Sequence, residues 1–68
     1  MYVQTQGAYV SKKGEVIEVF APGRKELLAE ARLNEISQLS LFGNIQVTTQ
    51  ALQAFCDAQI PVLYFSYG

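Results

Sequence analysis

Apolar and polar positions alternate at short range along most of this chain, and turn residues interrupt the pattern too often for long helices. Residues 2–5, "YVQT", read as a first strand closed by Gln6 and Gly7, and residues 8–11, "AYVS", as a second strand that pairs back on it. "KKG" at 12–14 supplies the next turn, with Gly14 available for a positive φ. The β-branched run "EVIEVF" at 15–20 reads as a third strand. In "APGRK" at 21–25, Pro22 suits the second position of a type II turn and Gly23 the third.

The next stretch, "ELLAEARLNEI", carries two signals. Its Ala, Leu, Glu and Arg content is that of a helix. Yet Leu27, Ala29, Ala31 and Leu33 alternate with Glu26, Leu28, Glu30 and Arg32, a period of two with one polar face. "ISQLSLF" follows, with Leu39 and Leu41 on one face with Ser37, and Ile36 and Phe42 on the other with Gln38 and Ser40. That pattern fits a strand buried on one side and partly covered on the other. Gly43 and Asn44 break it, since both residue types tolerate left-handed backbone. Thr48 is a good N-cap for a helix from 49 to about 58, with Leu52, Phe55 and Cys56 as its apolar stripe. Pro61 pushes Ile60 out of the α region and ends it. The last strand, "PVLYFSY", places Leu63, Phe65 and Tyr67 on one face and Val62, Tyr64 and Ser66 on the other. The expected fold is β-rich α+β: an antiparallel meander with one short helix near the C-terminus, in the order β-β-β-β-β-α-β.

At 68 residues the chain is one domain at most. A domain this short buries only about 60% of its unfolded surface, so a disulfide, a metal or a partner is the usual supplement. Cys56 is the only cysteine, which excludes an internal disulfide, and the absence of histidine argues against zinc. A partner remains, and a chain that is 50% hydrophobic has material for both a core and a contact surface. The net charge of −1 gives no general pull toward nucleic acid. The longest apolar run, residues 60–65, cannot span a bilayer, and "MYVQTQGAYV" lacks the pattern of a signal peptide. A soluble cytoplasmic protein with a reduced thiol is expected.

Candidate chemistry is sparse. Glu26, Glu30, Glu35 and Asp57 are acids, but charged residues are rarely buried unpaired, and a solvated face accounts for them. Cys56 has no histidine to activate it and sits on the expected apolar stripe, as a core thiol would. Thr48 and Thr49 beside Gly43 and Asn44 could hold an anion at a helix N-terminus, although ordinary capping needs nothing more. Lys12, Lys13, Arg24 and Lys25 are candidate DNA contacts. In a meander their two turns lie at opposite ends of the third strand, roughly 20 Å apart at ~3.3 Å per residue, so one copy offers no continuous basic track. Tyr2, Tyr9, Tyr64 and Tyr67 can stack on bases, or pack across strands and at an interface. Tyr64, Phe65 and Tyr67 lie together in the last strand and are the candidate dimer contacts. No catalytic and no metal-binding residues are identified.

The ordered set "LSLFGNIQVTTQALQAFCDAQIPVLYFSYG" closely resembles a segment of the CRISPR-associated spacer-acquisition integrase, the "Cas one" family. There a strand ends in a Leu-Phe-Gly-Asn-like turn, followed by a hydroxyl-capped short helix and an Ile-Pro-Val strand. Upstream, "QGAYVSKKGEVIEV" is similar to the family's first hairpins, and "ARLNEISQLSLFG" to its run into the turn, with Arg32 where the family has proline. The resemblance implies that residues 26–33 are strand. It covers the family's N-terminal β-domain only. The family's helical domain, whose Glu, His and Asp hold a divalent metal (magnesium or manganese), has no counterpart here. By this resemblance the chain is expected to dimerise and to position DNA within an integrase that inserts foreign spacers into the CRISPR array. The implied partners are a second copy, double-stranded DNA and the small ferredoxin-like "Cas two" protein. The chain alone is expected to be inactive and without a cofactor. A stand-alone β-module that binds protein or nucleic acid is the alternative, and Gly43 with Asn44 is read as a structural turn.

Overall fold

The computed structural model describes residues 1–66. Its strands are β1 (Tyr2–Val3), β2 (Tyr9–Lys13), β3 (Val16–Phe20), β4 (Leu27–Arg32), β5 (Leu39–Phe42), β6 (Gln46–Val47) and β7 (Val62–Phe65), with one helix, α1 (Thr49–Asp57), before the last. They form a four-stranded sheet in the order β4-β3-β2-β6 and a three-stranded sheet in the order β1-β5-β7. The protein is therefore β-rich with one helix near the C-terminus, as the pattern implies, plus the short β6.

The four-stranded sheet grows from local turns. β2 and β3 are antiparallel, with Lys13 opposite Val16. Their two-residue loop is Gly14 and Glu15, and Gly14 has φ +59°, as a type II′ hairpin requires at its first central position. Lys12 and Lys13 thus belong to β2, and the turn lies later than "KKG" suggests. Residues 21–24 make the expected type II turn: Gly23 has φ 78° and ψ 6°, and the Arg24 N–H donates to the Ala21 carbonyl at 2.8 Å. β4 then pairs antiparallel with β3, so the period of two prevails over helix-like composition. The register shifts at Val19/Phe20, leaving Leu28 as the extra residue of a bulge. The alternation in β4 marks a strand but no buried face, since only Ala31 in it is even half-buried.

The three-stranded sheet corrects the expected antiparallel meander. β1 and β7 both run parallel to β5, with Val3 beside Leu41 and Leu39 beside Val62. β6 also lies parallel to β2. The expected hairpin between the first two strands does not form. Instead the Gly7 N–H donates to the Asn44 carbonyl at 2.7 Å, and the chain passes from one sheet to the other. Parallel partners are distant in sequence, so no local turn announces them.

Gly43 and Asn44 perform the second such passage, carrying the chain from β5 to β6. Only Gly43 takes a positive φ, +85°. Gln6 locks the corner: its amide donates to the Phe42 carbonyl at 2.9 Å and its oxygen accepts from the Asn44 N–H at 2.8 Å. The abrupt junction is thus a sheet switch, held by a side chain from the other passage.

The core gathers Val3, Leu39 and Leu41 from the parallel sheet, Val10, Ile17 and Val19 from the other, and Ala51 and Phe55 from α1. Ile36, ahead of β5, joins them. The helix stripe is Ala51, Ala54 and Phe55, whereas Leu52 and Cys56 are exposed. The expected stripe was one step off, and Cys56 is a surface thiol. Small alanines let α1 approach β2 while Phe55 fills the space between layers. The helix ends in a Schellman motif: the Ile60 N–H reaches the Phe55 carbonyl at 2.8 Å, and the Gln59 N–H the Cys56 carbonyl at 3.1 Å. Gln59 occupies the left-handed position with φ 59°.

Candidate nucleic-acid and partner surfaces

The burial of Val10, Ile17 and Val19 fixes the inner face of the four-stranded sheet, and the pleat places their neighbours outside. Register orders that outer face into rows. Tyr9, Phe20 and Leu27 form an apolar row; Ser11, Glu18 and Glu30 an acidic one; Lys13, Val16 and Arg32 a basic one. Arg24 stacks its guanidinium over the Tyr9 ring, 3.9 Å from the centroid, beside the apolar row.

The four candidate DNA contacts are not brought together. Lys13 lies at the end of β2 next to Val16, whereas Arg24 and Lys25 follow Phe20 at the far end of β3. Lys12 points to the other face of β2, beside a shallow groove lined by Gln50, Gln53 and Asp57, where the Gln53 amide donates to Asp57 at 3.0 Å. What the sequence reading missed is Arg32, which shares the Lys13 row across Val16. The only advance signal for it would have been the register of both hairpins.

On the three-stranded sheet, Tyr2, Phe42 and Phe65 form an aromatic ladder across all three strands. The Tyr2 and Phe42 centroids are 5.9 Å apart, and Phe42 and Phe65 stack at 4.8 Å with an 11° interplanar angle. Tyr2 is 70% exposed and Phe65 45%, with Leu63 beside them. Ser40 is buried beneath this face, its hydroxyl accepting from the Gln38 amide at 2.9 Å. Among the candidate dimer contacts, Tyr64 and Phe65 point to opposite faces of β7, and both are exposed. Tyr67 lies outside the described residues. Alternation in the sequence groups Phe42 with Ser40 and Phe65 with Leu63, but only the parallel pairings bring these faces together and add Tyr2.

Thr48 stands at the helix N-cap, its hydroxyl accepting from the Ala51 N–H at 3.1 Å, and its own N–H donates to the Val10 carbonyl. The acids are dispersed. Among the described residues no three His, Cys, Asp or Glu side chains converge as metal ligands, and the sequence has no histidine. No helix among the described residues is long and apolar enough to cross a membrane.

Two small sheets and one helix around one core, with exposed aromatic and charged faces, define a small β-rich domain. Residues 1–68 match the family described as CRISPR associated protein Cas1, and the chain belongs to that family. Two relatives are described as CRISPR-associated exonuclease Cas4/endonuclease Cas1 fusions. The one from Geobacter sulfurreducens is 44% identical over 68 residues, and the one from Rhodospirillum rubrum 32% over the same length. The whole chain is covered in both, but it spans only 12% and 11% of those proteins.

Proposed function

We propose that this chain serves as a dimerisation and DNA-positioning domain in the spacer-acquisition step of CRISPR immunity, and that the catalytic metal is held elsewhere. The observation that carries this reading is the family match over residues 1–68 in a chain whose described residues offer no metal-ligand cluster. The relatives are named as endonuclease fusions, and this chain covers about an eighth of each. It therefore contributes scaffold and surface to a much larger enzyme, working on double-stranded DNA with the small adaptation partner in the cytoplasm.

The split of surface chemistry supports a division of labour. Every Lys and Arg lies between Lys12 and Arg32, on the hairpin region, while β1, β5 and β7 carry no charge. Lys and Arg supply the electrostatic attraction to phosphate, so DNA is met by the hairpin ends rather than by the uncharged aromatic face. Dimerisation brings separated basic ends of two copies to one duplex.

Sedimentation equilibrium from micromolar to near-millimolar concentration tests the first half, and titration of a fluorescent duplex at low salt the second. A concentration-dependent dimer mass and salt-sensitive duplex binding are expected. A monomer across the whole range, with no duplex binding, overturns the reading.

A further inference from the structure

Arg24 is held unlike any other cation of this chain. Its backbone is left-handed, φ 58°, directly after Gly23 at φ 78°. That conformation penalises a residue with a Cβ, and a second glycine would meet the turn's demand without the penalty. The guanidinium lies over the Tyr9 ring, 3.9 Å from its centroid. An exposed contact of that kind returns only part of what the backbone costs. Strain that the fold does not repay points to a task outside the fold.

Resting on the reading of this chain as a DNA-positioning domain, we infer that Arg24 is its phosphate anchor. Tyr9 holds the guanidinium ready, and the guanidinium N–H groups donate to two oxygens of one phosphate of a duplex.

The turn beneath Arg24 is fixed. The Arg24 N–H donates to the Ala21 carbonyl and the Ala21 N–H to the Glu26 carbonyl, both at 2.8 Å. Pro22 closes against the first passage between the sheets, where a Cβ on Gly7 would meet its ring at 3.2 Å. The side chain therefore starts from a set backbone, and the ring sets its far end. A long cationic side chain ordinarily loses rotamer freedom when it binds, whereas here much of that loss has already occurred on folding. The contact with Tyr9 uses the face of the ring and leaves the guanidinium donors for another acceptor. A planar fork of donors matches two phosphate oxygens, which an ammonium does not.

The surroundings single out the same residue. The row beneath the guanidinium, Tyr9, Phe20 and Leu27, is uncharged. Lys13 and Arg32 lie two residues along their strands from the row that holds Glu18 and Glu30, roughly 7 Å away, and those carboxylates oppose a phosphate. Lys12 shares its groove with Asp57. Lys25 adds charge at the same turn as Arg24, but on a flexible stem and as a point charge.

The test is titration of a fluorescent duplex with the chain from about 50 to 200 mM salt, a range over which phosphate contacts are read as the slope of affinity against salt. Arg24→Gln is expected to lower that slope by about 0.9, the value of one phosphate contact. Arg24→Lys keeps the charge and loses the fork, so the slope stays and affinity falls about fivefold. Tyr9→Leu changes no charge, and affinity falls about threefold with the slope unchanged. Lys25→Gln removes an equal charge one residue away and is expected to weaken binding less than half as much as R24Q. Thermal melts of each variant show that the fold is kept. If R24K or Y9L binds as the wild type does, or if R24Q is no weaker than K25Q, the anchor is overturned and the DNA-positioning reading stands. A wild-type chain that binds no duplex at low salt overturns both.

Discussion

The two sheets of this domain are built by opposite rules. In the four-stranded sheet, β2, β3 and β4 follow one another through tight turns, and the chain's charge is concentrated there: every charged residue except Asp57 lies between Lys12 and Glu35. The three-stranded sheet joins segments from the start, middle and end of the sequence, all parallel and all uncharged in their strands. The β2-β3-β4 part of one sheet is specified by neighbours in sequence, whereas β6 and the whole of the other sheet pair through surfaces that meet only once the chain has collapsed. Core residues and corner residues should therefore matter most where the sheets meet. Loss of surface side chains should matter little for stability on either outer face.

The largest expected effect is at the meeting point. Phe55 is fully buried between the layers, and Phe55→Ala should cost about 3–5 kcal/mol. In a domain of this size that is enough to abolish cooperative melting. The partner measurement is Phe65→Ala on the outer ladder, 45% exposed, expected to cost less than about 1 kcal/mol. Thermal melts followed by circular dichroism separate the two. Equal losses would mean that the aromatic ladder is as much core as Phe55 is.

Gly43→Val comes next. A Cβ at Gly43 would run into the Gln6 side-chain amide, and φ +85° strains any β-branched residue. The cost should exceed about 2 kcal/mol, because both sheet passages share that corner. Gln6→Ala isolates the lock from the strain. It removes the bonds to the Phe42 carbonyl and the Asn44 N–H and should cost about 1–2 kcal/mol. A chemical denaturation midpoint unchanged by either substitution would make the corner permissive, and the two sheets less dependent on each other than their shared core implies.

The same contrast decides what could be read from the sequence. The type II turn at Pro22 and Gly23, the strand character of 27–32 and the cap at Thr48 are local, and period, turn chemistry and family resemblance disclosed them. The parallel pairing of Tyr2 and Val3 with Ser40 and Leu41 is not local. An apolar dipeptide followed by Gln and Gly has the same signature whether it folds back as a hairpin or crosses to another sheet. The helix face was misread for a related reason. Leu52 and Cys56 are more apolar than Ala51 and Ala54, yet it is the alanines that lie buried beside Phe55. The rows on the outer face, and with them the place of Arg32 across Val16 from Lys13, needed the register of two hairpins and were legible only after the fold.

A smaller effect sharpens the boundary between helix and parallel sheet. Gln59 holds a left-handed conformation in the Schellman motif that delivers Ile60 and Pro61 into β7. Gln59→Gly should stabilise the domain by about 1 kcal/mol, since glycine takes that conformation without strain. No gain in melting temperature would mean that the Gln59 side chain contributes a compensating contact.

The smallest expected net effect tests whether the hairpin region is as locally determined as it looks. Arg24 also has a left-handed backbone, φ 58°, and its guanidinium lies 3.9 Å from the centre of the Tyr9 ring. Two contributions oppose each other there. Left-handed backbone costs a non-glycine residue about 1–2 kcal/mol. An exposed cation–π contact returns about 0.5–1 kcal/mol. Arg24→Ala keeps the strain and loses the contact, so it should cost about 0.5–1 kcal/mol. Arg24→Gly loses the contact and the strain together, and glycine's extra freedom in the unfolded chain offsets part of the relief, so its net change should fall within about 0.5 kcal/mol of zero. Tyr9→Leu removes the ring while keeping an apolar side chain in the outer row, and in that background Arg24→Ala should cost nothing further. If Arg24→Ala and Arg24→Gly are equally destabilising, the backbone at this turn is held by the sheet rather than by the residue. The distinction between a locally specified sheet and a collapse-specified one would then fail at the position where it should be clearest.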